Sequence, residues 1–216
     1  MSLAITLGMD SPFAGKVITD GGGTLVNSPV AVSSLSYGDL YDTPFVRSAE
    51  LGYQWSHNDE GRLRLRHTSA TGGTKTLGTI DGYALMGRFE PYDTLGLEVG
   101  YRRYLTDWSS GLRTFAGAEV GLTKVDSISL ALRAPAINLS LPATPLYKGS
   151  TVPTFAIIGG VRLPIKGPFA VEAAIALRGQ GGLKAQDNFE DSGLSGLTDG
   201  SARWSLPLTV SGVFRF

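Results

Sequence analysis

The sequence predicts an all-β chain: a closed antiparallel up-and-down transmembrane β-barrel. Three observations point there. Apolar and polar residues alternate with period two through many segments of about ten residues, as in a wall between an apolar and a polar medium. Hydrophobic residues make up 42% of the 216, yet the mean hydropathy is only +0.06. No apolar run reaches the roughly 18 residues that a membrane helix needs. Glycine is abundant, at 29 residues, and much of it falls inside apparent strands, where soluble sheets usually avoid it.

The segments follow in order along the chain. Leu3, Ile5, Leu7 and Met9 alternate with Ala4, Thr6 and Gly8. In Phe45 to Trp55 one face carries Phe45, Ala49, Leu51, Tyr53 and Trp55, and the other Ser48, Glu50 and Gln54. Leu63 and Leu65 alternate with Arg62, Arg64 and Arg66. Thr79 to Phe89 alternates more weakly. Leu95, Leu97, Val99 and Tyr101 oppose Glu98, Arg102 and Tyr104. Leu112, Ala116, Ala118, Val120 and Leu122 oppose Arg113 and Glu119. Asp126 to Ala134 points Ile128, Leu130 and Leu132 outward. Thr154 to Leu163 is again weaker. Phe169 to Leu177 sets an apolar face against Glu172 and Arg178. The clearest strand is the last, with Trp204, Leu206, Leu208, Val210, Phe214 and Phe216 opposite Arg203, Ser205, Thr209, Ser211 and Arg215.

Membrane barrels alternate short periplasmic turns with long outer loops. Counted back from a periplasmic C-terminus, that rhythm predicts ten strands, with the first paired to the last. An eight-strand reading drops the first strand and the Asp126 strand. Residues 1–216 read as a single barrel domain, with 10–43 a long outer loop or an inward plug. On this count Arg47 and Arg103 interrupt lipid-facing stripes at outer strand ends, where cations either meet the phosphates of lipopolysaccharide or snorkel to the interface. A soluble sandwich also alternates, but its polar face collects lysine, glutamate and threonine; here it collects arginine, glutamate and small residues, which pack and pair in a confined interior.

The chain has no cysteine and a formal net charge of zero. That excludes disulfides, thiolate metal sites and cysteine nucleophiles, and gives no global basic field for nucleic acid. The N-terminus lacks a basic segment followed by an apolar one, so the expectation is a mature form whose leader has been removed.

The terminal strand, through Leu208, Val210, Phe214 and the final Phe216 on one face, resembles the assembly signal of bacterial outer-membrane β-barrel proteins. With the hairpin rhythm, the resemblance extends over nearly the whole chain, to the class of small OmpA-, OmpX- or porin-like barrels. It implies residence in the outer membrane of a Gram-negative bacterium, contact with membrane lipid and lipopolysaccharide, and recognition by the barrel-assembly machinery during biogenesis.

The inward set predicts a lumen charge network: Glu50, Glu98, Glu119 and Glu172 with Arg62, Arg64, Arg66, Arg102, Arg113 and Arg178, joined by Arg88, Arg162, Arg203 and Arg215. It suits either a salt-bridged filling or a narrow passage preferring anions. His57 and His67 fall on different predicted ends, so no histidine metal site is expected. His67-Thr68-Ser69 resembles the His-x-Ser motif of outer-membrane lipid A deacylases, which implies a serine nucleophile activated by histidine, His67 and Ser69 sharing an outward face; no acidic third member is placed. Asp187, Glu190 and Asp191 read as an acidic loop rather than a cation site. No cofactor is implied. The leading function is a non-enzymatic barrel serving as membrane scaffold, narrow pore or surface-binding module. The alternatives are a lipid A-modifying hydrolase and a soluble ligand-binding β-barrel.

Overall fold

The structure, a computed structural model, describes residues 1–106, 111–186, 195–198 and 201–216. In chain order its strands are β1 (Ser2–Ala14), β2 (Lys16–Ile18), β3 (Gly21–Leu25), β4 (Ser28–Val32), β5 (Leu35–Ser36), β6 (Phe45–Gln54), β7 (Asp59–Ala70), β8 (Thr74–Ile80), β9 (Tyr83–Phe89), β10 (Tyr92–Tyr104), β11 (Arg113–Val125), β12 (Ile128–Ala134), β13 (Leu139–Lys148), β14 (Ser150–Pro164), β15 (Phe169–Gln180), β16 (Lys184–Ala185) and β17 (Arg203–Arg215). A single helical turn, α1 (Tyr37–Leu40), precedes β6.

Eight long strands close in the order β1-β17-β15-β14-β11-β10-β7-β6. Closure joins β1 to β17, with Leu7 opposite Val210, and β1 to β6, with Ile5 opposite Ala49. No wall edge is left, as hydrocarbon demands of a structure that cannot hydrogen-bond to its solvent. Outside, Leu7, Leu51, Leu65, Leu97, Val120, Ile157, Ile175 and Leu208 are exposed; inside, Glu50, Arg66, Glu98, Arg102, Glu172 and Arg178 are buried. This inside-out arrangement excludes the soluble barrel, whose apolar residues would fill the interior.

The expected count of ten strands is corrected to eight. The first strand is a wall strand as expected, and it is Thr79 to Phe89 and Asp126 to Ala134 that leave the wall. They contribute to β8, β9 and β12 of a second sheet of seven strands, ordered β16-β13-β12-β9-β8-β4-β3. The reason is physical. This sheet also alternates with period two, but its apolar side chains, Leu77, Ile80, Leu85, Phe89, Leu130 and Leu132, face inward around a core of their own, with water instead of lipid outside. Moving two strands reverses the hairpin of β10 and β11, so that Tyr104 and Arg113, where the two strands end and begin, lie at the end carrying both termini. That end, with its short turns 55–58 and 165–168, is the periplasmic one. The segments 15–44, 71–91, 126–149, 181–186 and 195–198 all lie at the outer end.

The outer core sits directly over the lumen. Val17, Ile18, Tyr37, Leu40 and Tyr41 are buried in it with Ala70, Tyr92, Val125 and Val152, the outermost inward residues of the wall. Of the expected loop or plug 10–43, residues 10–14 prolong β1 in the wall, and the rest both builds the outer sheet and stops the barrel. Tyr147 donates to the carbonyl of Val17 at 2.5 Å, tying β13 to β2 across this core. Ser36 donates to Asp39 through its backbone N–H (2.9 Å) and its hydroxyl (2.6 Å), fixing the start of α1. The same bonds hold the Asp39 carboxyl below its ordinary value.

Candidate functional site: the filled lumen and an outer-rim cluster

An eight-stranded barrel is just wide enough for its inward side chains to fill it. Register decides which charges meet. Glu50 faces Arg64 across the β6–β7 pair, Arg64 faces Glu98 across β7–β10, and Arg162 faces Glu172 across β14–β15. The resulting network runs the length of the lumen. At the outer end Arg203 and Arg66 reach Asp10 at 3.1 and 3.4 Å. Arg178 binds Glu98 at 2.5 Å. In the middle Arg64 bridges Glu119 at 2.5 Å and Glu50 at 2.7 Å, and Arg62 contacts Glu50. Nearer the periplasm Arg102 grips Glu172 with both terminal nitrogens at 2.6 Å, while Arg162 reaches Glu172 at 2.9 Å and Glu60 at 3.3 Å. Tyr104 donates to Glu60.

Rings and glycines complete the packing. Arg102 lies 3.7 Å from the Phe115 ring centre, and Arg113 lies 3.7 Å from that of Tyr104. Glycine opposite the large groups gives them room: a Cβ on Gly100 would stand 2.7 Å from Cγ of Glu119. A void beside the network, lined by Arg64, Glu119, Ala174, Ala176, Pro207 and Thr209, has a volume of about 20 Å³, room for about one water.

All ten charged residues expected in the network point into the barrel. Glu98 takes Arg178 and Glu119 takes Arg64. Arg113 donates to the carbonyl of His57 at 2.8 Å in the periplasmic turn. Arg88 is not in the lumen: it is exposed on the outer sheet. Arg162 and Arg203 are in the lumen as expected, whereas Asp10 and Glu60 are lumen charges that the short predicted segments left outside them. Asp187, Glu190 and Asp191 lie outside the described residues. Among the described residues no cluster of His, Asp and Glu suits a metal ion.

On the exterior, Arg47 is at the outer rim, beside Leu7 and His67. Arg103 is corrected to the opposite rim: it pairs with Asp59 next to the periplasmic turn, because the β10–β11 hairpin is reversed. It is therefore on the wrong side for lipopolysaccharide.

His67 and Ser69 share the outward face at the outer end of β7. Asp93, on β10, is directly opposite Ser69, and its Oδ1 lies 2.6 Å from Nε2 of His67. Nδ1 of His67 has no hydrogen-bond partner among the described residues. Sequence reading missed Asp93 because it lies 24 residues beyond Ser69 in sequence and meets His67 only through strand register. Its sole signal was a carboxylate in phase with the outward stripe of Leu95, Leu97 and Val99.

No protein-family model and no curated protein matches the chain. Among solved structures, the chain is similar to Neisserial surface protein A (TM-score 0.55, 10% identity, 100% of this chain and 96% of that one). The outer membrane protein OprG from Pseudomonas aeruginosa aligns with TM-score 0.45 and 9% identity over 100% and 96% of the two chains. The outer membrane enzyme PagL aligns with TM-score 0.41 and 9% identity over the whole of both. The fold is that of the small bacterial outer-membrane β-barrels. With an apolar exterior and a charged interior, this chain is a transmembrane barrel of the outer membrane.

Proposed function

We propose that the chain is a closed-lumen scaffold that holds a folded β-extension at the cell surface as a binding module, and is not a pore. The observation that carries this reading is the lumen: a continuous ion-pair network fills it, and an apolar core with Tyr37, Tyr41 and Tyr92 stops its outer end. A charged network so enclosed supports rigidity, since each group unpaired in low dielectric would be costly. The anion-preferring passage loses its basis, because a passage needs a continuous water path. Proteoliposome swelling tests this. Vesicles loaded with the protein are expected to swell in small sugars, amino acids or salts no faster than empty ones; faster swelling would overturn the reading. In biogenesis, Leu208, Val210, Phe214 and Phe216 form the signal for the assembly machinery, and Arg47 at the outer rim meets lipopolysaccharide phosphate.

A second reading is favoured by the His67–Asp93 contact. Asp93 orients the imidazole, His67 takes the proton of the Ser69 hydroxyl, and Ser69 attacks an acyl ester in the outer leaflet. The alcohol leaves with the proton from His67, and water then releases the fatty acid from Ser69. No hydrogen bond joins Ser69 to His67, and such pairs commonly tighten only in the Michaelis complex. Release of fatty acid from purified lipid A, abolished by Ser69→Ala and reduced by Asp93→Asn, would support this chemistry; no release would refute it.

A further inference from the structure

Charge does not balance at the periplasmic end of the lumen. Arg102, Arg113, Arg162 and Arg215 face inward there, and the carboxylates among them are Glu60 and Glu172. Strand register gathers the group. Arg113 stands opposite Arg162 across β11–β14, Arg102 opposite Glu60 across β7–β10, and Arg215 opposite Ser2 across β1–β17. The guanidiniums of Arg113 and Arg162 lie 3.7 and 5.1 Å from the centre of the one Tyr104 ring. Glu172 is taken up by Arg102 and Arg162.

Beside this cluster is a cavity of about 190 Å³, against about 20 Å³ for the void in the middle of the lumen. Its polar side chains are Ser2, Gln54, Glu60, Arg162 and Arg215. Arg162 is 1% exposed, and its Nη2 has no hydrogen-bond partner among the described residues. A buried guanidinium nitrogen left so is costly. Water can bond to it but brings no charge to offset the surplus of arginine. An oxyanion does both, and the guanidinium fork matches its oxygens.

Glu60 narrows the choice of anion. Its Oε1 accepts from Ser2 at 3.1 Å, and its Oε2 takes Tyr104 and Arg162. One of about four acceptor sites on the carboxylate stays open. An anion without a proton meets that carboxylate with repulsion alone. Phosphate at neutral pH keeps at least one proton, and its P–OH can donate to the open site. Sulfate has the same shape and no proton.

We propose that the periplasmic mouth binds phosphate, with Arg162 and Arg215 donating to its oxygens and Glu60 accepting from its P–OH. The site is a dead end, since the ion-pair network lies beyond it. It is at the opposite end of the barrel from His67, Ser69 and Asp93 and is independent of the hydrolase reading.

The test is isothermal titration calorimetry of the folded full chain in detergent. Sodium phosphate, sodium sulfate and glycerol 3-phosphate are the probes, at about pH 5.5, where phosphate and its monoesters both keep a proton. Wild type is expected to bind phosphate about tenfold more tightly than sulfate, as one charged hydrogen bond allows. Arg215→Gln, at a half-buried position, should weaken phosphate about tenfold. Glu60→Gln should bring sulfate within about threefold of phosphate. Arg88→Ala, on the outer sheet, should bind as wild type does. The heat-modifiable gel shift shows that each variant is folded. Glycerol 3-phosphate separates the sources: binding equal to that of phosphate assigns a phosphomonoester carried on a larger molecule, and much weaker binding assigns the free ion. No binding of millimolar phosphate by wild type would overturn the proposal without any variant. So would equal binding of phosphate and sulfate, which would mean an adventitious ion only. Unchanged phosphate binding by folded Arg215→Gln would overturn the site.

Discussion

Glu172 is the position at which the filled lumen is most exposed to a single substitution. Its carboxylate accepts from Arg102 twice at 2.6 Å and from Arg162 at 2.9 Å, and its side chain is 2% exposed. Glu172→Gln keeps the shape and one acceptor oxygen but removes the charge that holds two buried guanidiniums. Arg162 retains Glu60 at 3.3 Å; Arg102 has the Phe115 ring, which offers much less. Removing one partner of a buried pair costs about 3–5 kcal/mol, and the remaining amide oxygen puts the expected loss near the lower figure. The assay is equilibrium urea unfolding of the refolded barrel in lipid vesicles, followed by tryptophan fluorescence. The double variant Glu172→Gln/Arg102→Met, which removes the buried guanidinium left without a carboxylate partner, should recover part of the loss. A loss below about 1 kcal/mol for Glu172→Gln would mean that water already solvates these arginines, and the reasoning from a dry, filled lumen would fail.

Other outcomes follow from the same geometry. Leu208→Arg, in the middle of the last lipid-facing stripe, should cost about 2–4 kcal/mol in the same unfolding assay, whereas Arg133→Ala, exposed on the outer sheet, should cost under about 0.5 kcal/mol. Gly100→Ala forces a methyl against Glu119 and should destabilise by about 1–3 kcal/mol through overpacking; a neutral result would show that the lumen has slack. Tyr147→Phe loses the bond to the Val17 carbonyl, about 1 kcal/mol, and should speed proteolysis of residues 15–36 on intact cells without lowering the barrel's heat stability.

What the sequence made legible follows from what period two can encode. The last strand, from Arg203 to Arg215, carries an unbroken apolar face against arginines and small polar residues, and the structure places those faces in lipid and lumen. Glu50, Arg64, Glu98 and Glu172 were readable as inward because each sits between two apolar neighbours in phase. Period two cannot distinguish lipid from core, however. Leu130 and Leu132 alternate as Leu206 and Leu208 do, yet the first pair points into the outer core and the second into the membrane. Counting β9 and β12 as wall then reversed the sense of β10, and Arg103 was carried to the wrong leaflet. The rim cluster was half legible: His67 and Ser69 are two residues apart on one strand, but Asp93 joins them only through the pairing of β7 with β10, which no local pattern specifies.

The central claim is that this barrel is filled rather than open, and single-channel recording in a planar bilayer tests it most directly. The purified, folded protein, confirmed in the membrane by its gel shift, is expected to give no resolved conductance steps in 1 M potassium chloride at voltages up to about ±100 mV. Steps of uniform size scaling with protein concentration would contradict the account, since they require a water-filled path through the network from Asp10 to Arg162.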